Sequence, residues 1–134
     1  MKKTVLFLCT HNSARSQMAE GLLRLLYGNR YEAFSAGVKP THVHPAAIQV
    51  MNEIGVDMSN HRSKSIEEFQ EKTFDYVVTV CSHAKETCPF FPGKQVLHQG
   101  FDDPAAFASS SDETIQKFRN IRDEIHEWIK QTFQ

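Results

Sequence analysis

The sequence predicts an α/β fold, a four-stranded parallel sheet with helices on both faces, and three observations carry that prediction. Short apolar or β-branched runs alternate with amphipathic stretches of helical period. The chemistry-bearing residues gather in the turns that follow the strands. No compositional break, repeat or linker divides the 134 residues, 40% of which are hydrophobic, so residues 1–134 are expected to form one domain with its own core.

The elements follow in order. Residues 3–8 read as a buried parallel strand, and residues 14–27 as a helix with Met18, Leu22, Leu25 and Leu26 on one face, stopped by Gly28. Tyr31 to Ala36 is a second strand. Pro45 opens a helix that turns Ala47, Ile48, Met51 and Ile54 inward and ends at Gly55. Ser65-Ile66-Glu67-Glu68 has capping-box spacing and starts a short helix carrying Ile66 and Phe69. Asp75 to Val80 is a third strand, apolar and β-branched enough to be central, and Gln95 to His98 a shorter fourth. A second capping box, Ser110 to Glu113, leads into a long helix with Ile115, Phe118, Ile121, Ile125 and Ile129 on one stripe and Trp128 beside it.

Composition excludes several classes of function. A formal net charge of -1 with scattered Lys and Arg argues against a nucleic-acid surface. The two N-terminal lysines precede an apolar stretch too short for a secretion signal, and no run reaches the length of a membrane span. Three cysteines without an export signal fit cytoplasmic thiols better than a structural disulfide framework. Seven histidines lack metal-ligand spacing: His42 and His44 lie two apart in a Pro-flanked loop and the others are dispersed, so no metal and no cofactor are expected.

In parallel sheets ligands bind beyond the carboxyl ends of the strands. Cys9 follows the first strand, Cys81 the third, and Asp102 and Asp103 the fourth, which brings all of them to one rim. The first loop reads Cys9-Thr10-His11-Asn12-Ser13-Ala14-Arg15-Ser16, a Cys-x5-Arg-Ser pattern between strand and helix. Backbone N–H groups of such a loop form an anion nest, and the arginine fork adds bidentate bonds to two oxyanion oxygens. The same positive field favours the thiolate: a cysteine at a helix N-terminus beside a cation titrates at roughly 3.5 to 7.5 rather than about 8.5. A protonated His11 would add to it. Ser16 is placed to hydrogen-bond the thiolate, Asn12 to hold the loop, and Thr10, Ser13 and Ala14 to contribute backbone donors. Without that company Cys9 would read as a small buried residue ending a strand.

Asp103-Pro104 alone would be a turn starter. Facing a nucleophilic thiolate, Asp103 is the natural general acid for a departing oxygen, with Asp102 as the fallback and Pro104 stiffening the loop. Cys81 and Cys88 separate a hydrolase from a redox enzyme. Water resolves a thiol-bound oxyanion in a phosphatase; a second thiol instead forms a disulfide and passes two electrons to the bound atom, which arsenic(V) accepts and phosphorus(V) does not. If residues 82–87 were helical, cysteines seven apart would stand about 10.5 Å apart along the axis. A disulfide needs Cα atoms within roughly 7 Å, so joining Cys81 to Cys88 would unwind that helix.

Cys9 to Gly21, Ser35-Ala36-Gly37, Ser59-Asn60-His61, Cys81 with Cys88-Pro89, and Gly100 to Ala105 together resemble the thioredoxin-coupled arsenate reductases. That family is similar in fold to the low-molecular-weight protein tyrosine phosphatases, and the likeness runs from residue 4 to about residue 130. It implies that Cys9 attacks arsenate while Arg15 holds its oxygens and Asp103 protonates the leaving hydroxyl. Cys81 then attacks the adduct and releases arsenite, Cys88 takes over the disulfide, and thioredoxin reduces the Cys81–Cys88 bond. Glutathione with glutaredoxin serves some related enzymes instead. A monomer is expected.

The chain departs from the pattern in places. His11 stands where these families usually have glycine, so that position is expected either to differ in loop geometry or to carry modest left-handed strain. Some members bind potassium through an asparagine, a glutamate, a serine and an aspartate. Asn12, Glu20 and Ser35 match that set, but Lys64 stands in place of the aspartate, its ammonium able to fill the cation's position, and no potassium is expected. The alternative function is a low-molecular-weight phosphatase acting on phosphotyrosine or small phosphate esters. Against it stands Ala105, where the phosphatases generally carry an aromatic residue. A non-catalytic thiol switch would make Arg15 and Asp103 incidental.

Overall fold

The computed structural model describes residues 2–81, 91–104 and 111–133. Strand β1 (Lys3–Cys9) leads through a short loop to α1 (Arg15–Tyr27), and β2 (Tyr31–Gly37) to α2 (Pro45–Asn52). A 3-10 turn (Ile66–Phe69) precedes β3 (Tyr76–Thr79), β4 (Gln95–His98) follows, and α3 (Ser111–Thr132) closes the order. The sheet runs β2-β1-β3-β4 and every pairing is parallel, so β1 and β3 are central and the loops after them open on the same edge.

Alternation along β1 divides the core. Val5, Phe7 and Cys9 face one layer, shared with Met18, Leu22 and Leu23 of α1, Val50 and Met51 of α2, and Phe118, Ile121, Ile125 and Ile129 of α3. Leu6 and Leu8 face the other, with Phe74, Val77 and Phe91 and the partly buried Ile66 and Phe69. Both faces are therefore covered, but unequally: among the described residues the three α-helices share one face, and the 3-10 turn and its aromatic neighbours cover the other. No described helix is long and apolar enough to cross a membrane.

Side-chain placement differs from the sequence reading at a few positions. Leu25 is 49% exposed while Leu23 is fully buried. The stripe of α1 is Ala19, Leu22, Leu23 and Leu26, and Leu25 falls outside it. Ile54 is exposed because α2 ends at Asn52, and Val50 takes the inward position instead. Gly28 keeps a right-handed conformation at the end of α1, so the helix stops through the Arg30 N–H to Tyr27 carbonyl turn rather than through a left-handed cap. The Ser65 hydroxyl accepts from Glu67 N–H and caps a 3-10 turn rather than an α-helix. The third strand is shorter than Asp75–Val80. Asp75 lies outside it and clamps the start of β1, accepting from Thr4 N–H at 2.8 Å while its own N–H donates to Thr4 Oγ1 at 3.1 Å. Ser110, the start of the second capping box, lies outside the described residues.

Candidate active site

Cys9 is the last residue of β1 and Arg15 the first of α1, so residues 10–14 turn the chain from the sheet centre into a helix start. Ala14, at the N-cap position, offers no side-chain cap, which leaves the first amides of α1 open to an anion. The tight turn needs one left-handed residue, and that residue is Asn12, with φ of 49°. The strain expected at His11 is therefore found one position later. Asparagine tolerates this conformation better than most residues, and here its side chain is also in use.

The Asn12 carboxamide organises the floor of the site. Its oxygen accepts from Gln17 Nε2 at 2.8 Å and from Lys64 N–H at 2.9 Å, and its nitrogen donates to Ser16 Oγ at 2.8 Å. Ser16 Oγ lies 2.8 Å from Cys9 Sγ. Ser16 already accepts from Asn12, and once Cys9 is a thiolate with no proton to give, the Ser16 hydroxyl donates to the sulfur. Asn12, Ser16 and Gln17 are fully buried beneath Cys9.

A further layer supports this one. Gln17 Oε1 can only accept, so His61 Nδ1, 2.9 Å away, donates to it, leaving Nε2 to face Arg24 at 3.3 Å. That neutral tautomer agrees with a pKa held below the usual histidine value, first by burial, with Glu20 opposing. Glu20 Oε1 accepts from the Ser35 hydroxyl at 2.6 Å. Lys64 Nζ lies 3.5 Å from Ser35 Oγ, 3.9 Å from Glu20 Oε1 and 2.9 Å from the Arg62 carbonyl. Burial pushes its pKa down and Glu20 pulls it back. The ammonium thus stands among these oxygens. Among the described residues no group of three His, Cys, Asp or Glu side chains converges as metal ligands.

Above Cys9 lies a cavity of about 170 Å³ lined by Cys9, His11, Ser13, Ala14, Arg15, Thr41, His42 and Asp103. Arg15 is buried, and its NH1 donates to the Phe101 carbonyl at 3.1 Å, which ties the anion loop to the loop carrying Asp103. Phe101 is in turn seated edge-on against Trp128 of α3, ring centroids 6.3 Å apart. Asp103 lines the cavity, whereas Asp102 is exposed and does not. A cavity this small suits a compact tetrahedral anion; sites for larger organic ligands run to roughly 300–1,000 Å³.

Cys9 is a free thiol, and Cys81, fully buried just beyond β3, is disulfide-bonded. Leu8 pairs with Thr79, so Cys9 ends β1 while Cys81 lies just past the end of the neighbouring parallel strand β3. Cys88 and the helix considered for residues 82–87 lie outside the described residues. Sequence reasoning did not anticipate Thr41 as part of the cavity, and it considered His42 only as a metal ligand. Nothing in the linear pattern of that loop signals the cavity it reaches. It also missed the reason for Gly37: a Cβ there would sit 2.7 Å from the Thr10 carbonyl and 2.8 Å from Asn12 N.

The model of the low molecular weight phosphotyrosine protein phosphatase family matches residues 4–134. The chain is 44% identical to an arsenate reductase of Halalkalibacterium halodurans over 130 residues, covering 96% of this chain and 94% of that one. It superposes on an arsenate reductase in the phosphate binding state with a TM-score of 0.82 at 31% identity, covering 98% and 95% of the two chains. A thioredoxin-dependent arsenate reductase of Corynebacterium glutamicum gives a TM-score of 0.70 at 30% identity, over 97% of this chain and 61% of that one.

Proposed function

From the premise that the chain belongs to the low molecular weight phosphotyrosine protein phosphatase family, we propose that it reduces arsenate to arsenite with its own thiols. The observation that carries this reading is a free Cys9 at the floor of an oxyanion-sized cavity, one strand away from a disulfide-bonded Cys81. Hydrolysis alone would use Cys9, Arg15 and Asp103 and would leave a redox-active neighbour without a task. The similarity to arsenate reductases along nearly the whole chain supports the same choice.

The Cys9 thiolate attacks arsenic(V) while the loop amides and Arg15 hold the remaining oxygens, and Asp103 gives its proton to the departing hydroxyl, which leaves as water. Ser16 steadies the thiolate before attack. The Cys81 thiolate then attacks Cys9 Sγ. A Cys9–Cys81 disulfide forms, the sulfur–arsenic electron pair stays on arsenic, and arsenite departs as arsenic(III). Cys88 attacks Cys81, frees Cys9, and leaves a Cys81–Cys88 disulfide, which a thioredoxin dithiol reduces. Thioredoxin is preferred as reductant by likeness to the thioredoxin-dependent enzyme. Thiols that must be reduced between turnovers favour the cytoplasm, and because one chain carries all three, no second copy is required.

The test is NADPH oxidation with arsenate, thioredoxin and thioredoxin reductase, run beside hydrolysis of a chromogenic aryl phosphate. Arsenate-dependent oxidation should disappear in Cys81→Ser while any weak ester hydrolysis survives. No oxidation by the wild-type protein, with brisk hydrolysis in both, would establish the phosphatase instead.

A further inference from the structure

We propose that His42 is a substrate-contacting residue: its imidazole donates a hydrogen bond, charge-assisted when protonated, to an oxygen of the anion held over Cys9. The proposal rests on the arsenate reading above and adds to it a recognition group and a pH dependence.

The loop that carries His42 is stapled to the anion loop on either side of it. Lys39 N–H donates to the Thr10 carbonyl at 2.9 Å, and His44 N–H to the Ser13 carbonyl at 3.0 Å. Between them the Ser63 hydroxyl accepts from Thr41 N–H at 3.0 Å and donates to the His11 carbonyl at 2.8 Å. His42 thus sits between anchored residues, on the wall of the cavity that Cys9, Arg15 and Asp103 also line. The sheet order explains the arrangement. The loop after β2 and the loop after β4 come from opposite edges and meet over the loop after β1.

The ring of His42 stacks on that of His44 with centroids 6.5 Å apart and planes 24° apart. His44 is fixed from behind, its ring centroid 4.6 Å from that of Phe118 and its Nδ1 accepting from Ala46 N–H at 3.0 Å. That bond occupies the lone pair a proton would need. Burial, then the neighbouring His42, hold the His44 pKa below its ordinary value, against a smaller pull from Asp103. His44 is therefore a fixed brace, and His42, exposed at the cavity, is the imidazole of the pair positioned to meet a ligand there.

The groups facing His42 come from every neighbouring element: Cys9 from β1, His11 and Arg15 from the anion loop and the start of α1, Asp103 from the loop after β4, and His44 from its own loop. A hydrogen bond from a charged imidazole to an anion is stronger than one from a neutral imidazole, so the contact is expected to matter most at the acid end of the pH range.

The experiment measures kcat and KM for arsenate in the wild type, His42→Gln and His42→Ala at pH 6.0, 7.0 and 8.5. Inorganic phosphate is titrated calorimetrically into the same proteins as a probe that is bound but not reduced. At pH 6.0 both KM and the phosphate Kd should rise about fivefold to twentyfold, with a much smaller change in kcat, and the gap should narrow toward pH 8.5. Taking the ratio of variant to wild type cancels the ionisation of the anion itself. A phosphate Kd within twofold of wild type at pH 6.0, or a loss of equal size at every pH, overturns the proposal. If phosphate binding follows His42 as expected but the wild type does not reduce arsenate, the contact stands and the reductase reading falls.

Discussion

Ser16 shows how far the chemistry of one side chain depends on what its neighbours have already taken. A serine beside a cysteine can accept or donate; with Asn12 Nδ2 filling one of its lone pairs at 2.8 Å and a Cys9 thiolate able only to accept, it donates to the sulfur. Hydrogen bonds to charged groups contribute about 1.5–3 kcal/mol, so Ser16→Ala is expected to lower kcat tenfold to a hundredfold and to slow alkylation of Cys9 by iodoacetamide at pH 7. Wild-type alkylation kinetics in that variant would show that the sulfur does not use this donor. At this scale the sequence was informative where spacing brings residues together, as with Cys9, Arg15 and Ser16 around the turn from β1 into α1. It was less informative where backbone conformation decides: asparagine's tolerance of the left-handed region favours Asn12 over His11 only weakly. Asn12 is the residue that turns left-handed, because its side chain must reach Ser16, Gln17 and Lys64 together.

Between elements, the tightest constraint is the approach of the end of β2 to the anion loop. Gly37 pairs with Cys9, and the space a side chain would fill is occupied by backbone atoms of Thr10, Asn12 and Cys9, which cannot swing aside. Gly37→Ala is expected to displace the loop, raise the phosphate Kd at least tenfold, and leave a folded protein with reduced thermal stability. Unchanged phosphate affinity would mean that the loop tolerates the shift. The strands were legible because a buried parallel strand is a nearly continuous apolar run, and β4 was found with its observed limits. Helix faces were less legible. With leucines at 22, 23, 25 and 26, periodicity allows more than one stripe, and the contacts with β1, β2 and α3 select the one that contains Leu23. Likewise, no local pattern tells that α2 joins α1 and α3 on one side while a 3-10 turn covers the other. That follows from the long connection between β2 and β3 crossing over β1.

For the molecule as a whole, the described titratable groups predict a two-stage response to acid. His44 and His61 both have pKa values depressed below 6.5, so the unfolded chain binds protons there before the folded one does. Stability is then fully present above about pH 6.5 and lost progressively as pH falls from there toward the depressed values. Asp75 and Glu53 are depressed for a different reason, a backbone N–H from Thr4 and the guanidinium of Arg119 respectively. Their contribution is lost only in the range below about pH 4.5. Thermal melts at pH 7.5, 6.0 and 5.0 should show Tm falling across the first window, and His61→Gln should flatten that part of the profile. A Tm independent of pH between 7.5 and 5.0 would contradict this reading.

Trp128 is the only tryptophan in the chain. Its indole meets the ring of Phe101, whose carbonyl receives Arg15. The molecule thus carries a built-in optical reporter: an anion that draws Arg15 toward itself releases that carbonyl and alters the packing around a single emitter. Stopped-flow excitation at 295 nm should follow capture of phosphate in real time and without a label, and the signal should vanish in Arg15→Ala.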